Sequence, residues 1–220
     1  MRVNRFLMAL GVVLLLITIA GAYQVKAQPG PGTDSLDAKV KAFLDGARRE
    51  WREQNVPYED GQILYDLVVQ NGFKNILEIG TSTGHSTIWL AWAASKTGGK
   101  VITIDIDRNR YEKALENFRK AGVDQYIDAR LADAHELVKA LPGPFDFVFS
   151  DADKEWYPQY FKDLDTKIKV NGCFTAHNVL SSWAPQIKEF IDYVKARPNY
   201  RTRIEKGSGK GISISCKTAE

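Results

Sequence analysis

The chain has 220 residues, 44% of them hydrophobic and 26% charged, with a formal charge of +3. These are the proportions of an ordinary globular domain, long enough to bury a core, and a charge so nearly balanced gives no case for a nucleic-acid partner. The longest basic cluster, Arg197 to Lys210, is broken by Pro198, Asn199 and glycines and reads as a solvated face.

At the N-terminus Arg2 and Arg5 precede an apolar run from Phe6 to Ala22, followed by two sites of the Ala-x-Ala type, Ala20-Gly21-Ala22 and Val25-Lys26-Ala27. Residues 1–27 therefore read as a secretory signal peptide, or as an uncleaved membrane anchor, since the run reaches the lower limit of about 17 residues for a span. In both cases the arginines stay in the cytoplasm, so the body of the protein is expected outside it: periplasmic, secreted, or anchored facing outward. Residues 28–33, "QPGPGT", read as a flexible tether, and 34–220 as one domain.

Beyond the tether, Leu36, Val40, Phe43, Leu44 and Ala47 recur at helical spacing. A second helix is predicted over Gly61–Gln70. Then strands and helices alternate: strand Asn75–Ile79, helix Ser86–Ser95, strand Lys100–Ile104, helix Arg110–Ala121, strand Tyr126–Leu131, helix Ala134–Leu141, strand Phe145–Ser150. The series continues with helix Tyr157–Val170, strand Cys173–Ala176, helix Ala184–Ala196 and strands Tyr200–Ile204 and Ile212–Cys216. Such alternation means an α/β fold: a Rossmann-like, doubly wound, mostly parallel seven-stranded sheet with helices on both faces. The last two strands, joined by "EKGSGKG", should form an antiparallel C-terminal hairpin. Cys173 and Cys216 fit no metal spacing and lie in strand-like runs, which predicts buried free thiols; an oxidising compartment keeps a disulfide open.

In sheets of this kind ligands bind beyond the carboxyl ends of the strands, so the residues at those ends are the candidates for chemistry. The first ends in "LEIGTSTGHST": Gly80 and Gly84 bracket a tight turn, and Glu78 suits a cation better than a phosphate. The close second glycine of G-x-G-x-x-G is missing, which disfavours a dinucleotide and with it an NAD oxidoreductase. Asp105, ending "ITIDID", is placed to accept hydrogen bonds from ribose hydroxyls, and Asp107 to cap the next helix. Asp133 and Ala134 lie where an adenine edge could be read, Asp133 serving equally as a helix cap. The fourth strand delivers Asp151, Asp153 and Lys154 beside Trp156, Tyr157 and Tyr160, aromatics that could wall a substrate ring. The fifth supplies His177 and Asn178, which with one carboxylate make a sparse, open ligand set for a metal. His85 and His135 read as structural or surface residues.

The segments "VPYEDGQIL", "LEIGTSTGHST", "ITIDID", "DAH", "FDFVFSDADKEWYPQYF" and "HNVL" stand in an order and spacing that resembles the catechol and caffeoyl-CoA type O-methyltransferases, small metal-dependent enzymes that use S-adenosylmethionine. The resemblance runs from about Val56 to the C-terminus. It implies that Val56, Glu78, Gly80, Thr81, Ser86, Asp105, Ala134 and Asp151 surround S-adenosylmethionine. It further implies that Asp151, His177 and Asn178 hold a divalent metal, that Lys154 is the general base, that the acceptor is a small phenol or catechol, and that the protein can be a homodimer. Family members generally have Asp-Asn where this chain has His177-Asn178. That exchange shifts preference from Mg²⁺ towards Zn²⁺, Mn²⁺ or Fe²⁺, loses the metal, or leaves a histidine that bonds substrate directly. An exported enzyme would also need a supply of S-adenosylmethionine, which keeps open a non-catalytic binding protein on the same fold.

Overall fold

The computed structural model describes residues 31–48, 51, 54–180 and 185–220. The expected leader, 1–27, lies outside them. Among the described residues no helix is long and apolar enough to cross a membrane.

The chain runs α1 (Pro31–Ala47), α2 (Tyr58–Asn71), β1 (Asn75–Ile79), α3 (His85–Thr97), β2 (Lys100–Asp105), α4 (Arg108–Ala121), β3 (Ile127–Leu131), α5 (Ala134–Ala140), β4 (Phe145–Ser150), α6 (Tyr157–Leu164), β5 (Ile168–His177), α7 (Pro185–Ala196), β6 (Tyr200–Glu205) and β7 (Ile212–Lys217). The strands form one sheet in the order β3-β2-β1-β4-β5-β7-β6. β1 to β5 are parallel, and β7 runs antiparallel between β5 and β6. The chain thus reverses strand order at β1 and β4, and a crevice opens there beyond the strand ends.

Side chains alternate across the sheet, so each strand feeds two cores. On one face Ile76, Phe147 and Phe149 pack with Leu44, Leu64, Trp89 and Phe118 from α1 to α4. On the other, Leu77, Ile79, Val148 and Phe174 pack with Val138, Phe161 and Phe190 from α5, α6 and α7. With both faces covered, the central strands read as near-continuous apolar runs. The helix ends follow local rules: Asp107 accepts a hydrogen bond from Arg110 N (3.0 Å) as the N-cap of α4, and Gly122 closes that helix in the left-handed region.

The structure differs from expectation in two places. The helix expected over 157–170 ends at Leu164, and β5 begins at Ile168. Lys169, Val170 and Asn171 are exposed, so this half of β5 lacks an apolar signature. The ladder also shifts register there, Phe145 pairing with Ile168 but Phe147 with Cys173. Asn171 takes up the extra length at φ 68°, and a Cβ on Gly172 would come within 2.9 Å of two carbonyl oxygens. The second correction concerns the cysteines. Cys173 and Cys216 are not free thiols but a disulfide, because insertion of β7 beside β5 sets the two residues opposite each other in the ladder.

Candidate active site

A cavity of about 820 Å³ occupies the crevice, a volume proper to a small-molecule site. Of the residues singled out from the sequence, Val56, Gly80, Thr81, Ser86, Asp105, Ala134, Asp151, Lys154, His177 and Asn178 all line it. Glu78 does not. It lies inside β1 rather than at its end and is fully buried towards α3, where Oε2 accepts hydrogen bonds from the hydroxyls of Thr87 and Thr103. Burial raises its carboxyl to about 7 against the pull of the Ser86, Thr103 and Thr87 hydroxyls.

One half of the cavity is built by backbone. Gly80 sits at φ 100°, and a Cβ there would lie 2.9 Å from Ala152 N, so the turn after β1 can press on the strand-4 loop only without a side chain. Asp105 holds the turn through Ser82 N–H (2.7 Å) and its own loop through Asp107 N–H (2.9 Å). Thr81 turns its hydroxyl inward to Thr103 Oγ1 (2.6 Å). Above the turn, Trp51 Nε1–H and Asn55 Nδ2–H both donate to Thr83 Oγ1, at 2.6 and 2.9 Å, so the segment ahead of α2 roofs the cavity. His85 belongs to this roof as a structural residue: buried, it bonds through Nδ1 to Val56 O (2.7 Å) and packs on Trp51. Burial holds its pKa down near 4, so it is neutral and Nδ1–H donates. At the far end Asp133 caps α5 by accepting from His135 N–H (2.9 Å), and the His135 ring stacks on Trp156 at 3.6 Å.

The other half is a cluster of charges. Lys154 Nζ donates to Asp151 Oδ1 (2.5 Å) and to its carbonyl oxygen (2.7 Å). His177 Nδ1 lies 3.2 Å from Asp151 Oδ2, and Nε2 lies 2.8 Å from Asp60 Oδ2. Ser208, in the β6–β7 loop, donates its N–H (3.0 Å) and hydroxyl (2.7 Å) to the same Asp60. Although burial raises the carboxyl of Asp151, the Lys154 charge and the His177 bond hold it below the usual range. Burial pulls His177 down, but bonds to Asp151 and Asp60 outweigh it and raise the ring to about 9. Tyr160 lines the cavity, whereas Tyr157, expected beside it, is fully buried and donates to His177 O (3.0 Å).

Asp60 and Ser208 were missed in the sequence. Asp60 stands in the first turn of α2, followed by Gly61, where any Cβ would collide with the Trp89 ring. An acid before a glycine that lets two helices touch is the only local hint.

The expected metal does not fit these donors. A divalent ion would need a bare lone pair on the imidazole, yet both His177 nitrogens face carboxylates and each Asp151 oxygen already has a cation as a partner; Asn178, the third expected donor, lines the cavity beside them. Among the described residues no group of three or more His, Cys, Asp and Glu is arranged to hold one.

A strand-order reversal with a glycine turn, an acid ending β2 and a polar corner after β4 and β5 defines a class I methyltransferase. A sequence model of the O-methyltransferase family matches residues 38–201. Caffeoyl-CoA O-methyltransferase of Medicago sativa is 36% identical over 169 residues, 73% of this chain and 68% of that protein. Caffeoyl-CoA O-methyltransferase 1 of Eucalyptus globulus is 37% identical over 168 residues, with the same coverage. The solved O-methyltransferase of Bacillus cereus in complex with SAH superposes with a TM-score of 0.69 at 26% identity, covering 88% of this chain and 94% of that one. The chain belongs to the O-methyltransferase family and is an S-adenosylmethionine-dependent O-methyltransferase of the caffeoyl-CoA O-methyltransferase-like group. Its cavity suits that cofactor: a side-chain-free turn at Gly80 and, at the end of β2, an acid at Asp105 whose oxygens keep further lone pairs.

Proposed function

We propose that the protein transfers the methyl group of S-adenosylmethionine to a hydroxyl of a small phenolic acceptor, outside the cytoplasm. The observation that carries the reading is the continuity of one cavity from the Gly80 turn and Asp105 to Lys154, Asp151 and His177. In this reading Asp105 takes the ribose hydroxyls, Ala134 and Asp133 the adenine, and the turn over Gly80, Thr81 and Ser86 the methionine end under the roof of Val56. Glu78 acts from below the turn, as a buried acid beneath a cationic ligand.

Methyl transfer is an in-line displacement, so the protein has to align the acceptor oxygen with the methyl carbon and receive a proton. Lys154, once it has released the proton it holds in the ion pair with Asp151 to solvent, takes the hydroxyl proton, the C–O bond forms, and the C–S bond breaks to leave a neutral sulfide. The positive charge that began on sulfur ends on the lysine. Tyr160 walls the acceptor ring. No step is routed through a metal.

Two observations support placement outside the cytoplasm: the layout of residues 1–27, and the Cys173–Cys216 disulfide, a bond that persists in oxidising compartments. The test is calorimetry with S-adenosylmethionine followed by methylation of a panel of phenols and catechols. Binding with turnover is expected. Tight binding with no turnover on any acceptor would instead make this a binding protein.

A further inference from the structure

His177 ends β5 with neither ring nitrogen free: Nε2 faces Asp60 and Nδ1 faces Asp151, at 2.8 and 3.2 Å. The ring is 3% exposed and Asp60 is fully buried. A carboxylate oxygen offers only lone pairs, so Nε2 meets Asp60 through a proton, and Nδ1 has Asp151 as its nearest polar partner. Asp60 cannot turn away, because Ser208 holds both of its oxygens. Asp151 cannot turn either, because Lys154 holds its other oxygen and its carbonyl. The acids are thus matched by cations of the chain itself, in a site whose burial would make an unmatched charge costly.

We propose that the Asp60–His177–Asp151 clamp takes the place of the divalent ion, so that methyl transfer here is metal-independent and the acceptor needs one hydroxyl, not two adjacent ones. The inference rests on the methyltransferase reading above and deepens it. An ion selects vicinal hydroxyls because both oxygens must reach it. An imidazole bonded on both sides to carboxylates imposes no such pairing and does only the ion's other task, fixing Asp151 beside Lys154. Asp60 is then a positioning residue that acts through His177.

The competing arrangement is a neutral His177 that keeps Nε2–H on Asp60 and turns a bare Nδ1 to an ion, as metal-bound histidines do. The two are separated on the full chain after dialysis against a chelator. ¹⁵N-histidine spectra recorded while Mn²⁺ is added should show both His177 ring N–H signals unbroadened, and native mass spectrometry should show no bound ion. Formation of S-adenosylhomocysteine should change less than twofold with EDTA, and a monohydroxy phenol should be accepted as well as a catechol. Broadening of the His177 signals by Mn²⁺, stoichiometric metal, or a tenfold gain in turnover on adding it would overturn the proposal. Asp60→Asn should displace the Nε2–H signal and lower kcat at least tenfold with cofactor affinity kept, a pattern that general loosening would not give. His177→Asp should acquire Mn²⁺ binding; if it fails to fold, the spectra of the unaltered protein still decide. If S-adenosylmethionine fails to bind at all, the function proposed above falls, while the ring signals continue to report on the metal alone.

Discussion

Lys154 reaches the same aspartate twice, through the carboxylate and the carbonyl oxygen, and is only 11% exposed on its side chain. A base held in this way contributes by position, and general bases contribute ~10²–10⁴-fold. Lys154→Ala is therefore expected to lower kcat by about that factor with the S-adenosylmethionine affinity unchanged, read by steady-state kinetics beside calorimetry. His85 gives a prediction of another kind. Its folded pKa, about 4, lies below its ordinary value of 6.5. The unfolded chain takes the proton first, so the contribution of His85 is present above pH 6.5 and is lost as pH falls towards 4. Glu78, raised to about 7, works in the opposite direction over the overlapping range. Urea unfolding at stepped pH should show a smaller acid loss of stability in His85→Phe than in the unaltered protein. The chemistry of most cavity residues was legible because an apolar run followed by an acid marks a strand end. Glu78 was misplaced for a simple reason: it precedes Ile79 within the strand, and alternation turns it to the helix side.

The elements were largely legible too, since parallel strands covered on both faces leave long apolar runs between amphipathic helices. The exposed first half of β5 escaped because Lys169, Val170 and Asn171 carry no period-two pattern, and the disulfide because strand adjacency is not written locally. Nothing in "CFTAHNVL" says that β7 rather than β6 lies beside it. The bond joins residues 43 apart, and loss of a native disulfide from a domain costs roughly 2–5 kcal/mol. The double variant Cys173→Ser, Cys216→Ser should show that loss in denaturant unfolding, and dithiothreitol should reproduce it in the unaltered protein.

For the molecule as a whole, the cavity is assembled from the roof at Trp51 and Asn55, from the ends of the central strands and from the β6–β7 loop, so ligand binding should stabilise the entire domain. S-adenosylmethionine at a hundredfold excess over its Kd contributes about 2.7 kcal/mol, or roughly 5–10 °C in Tm for a domain of this size. Thermal unfolding should show that shift, and Asp105→Ala should abolish most of it. A shift fully retained in that variant would count against the ribose role of Asp105.

The bond between Asp60 and Ser208 spans 148 residues. A refolding chain can gather the nucleoside half from residues 54–152, but the charged corner has to wait for the final hairpin to dock. Uptake of nucleoside should therefore return before turnover does, and the lag between them would time the closure of the sheet edge.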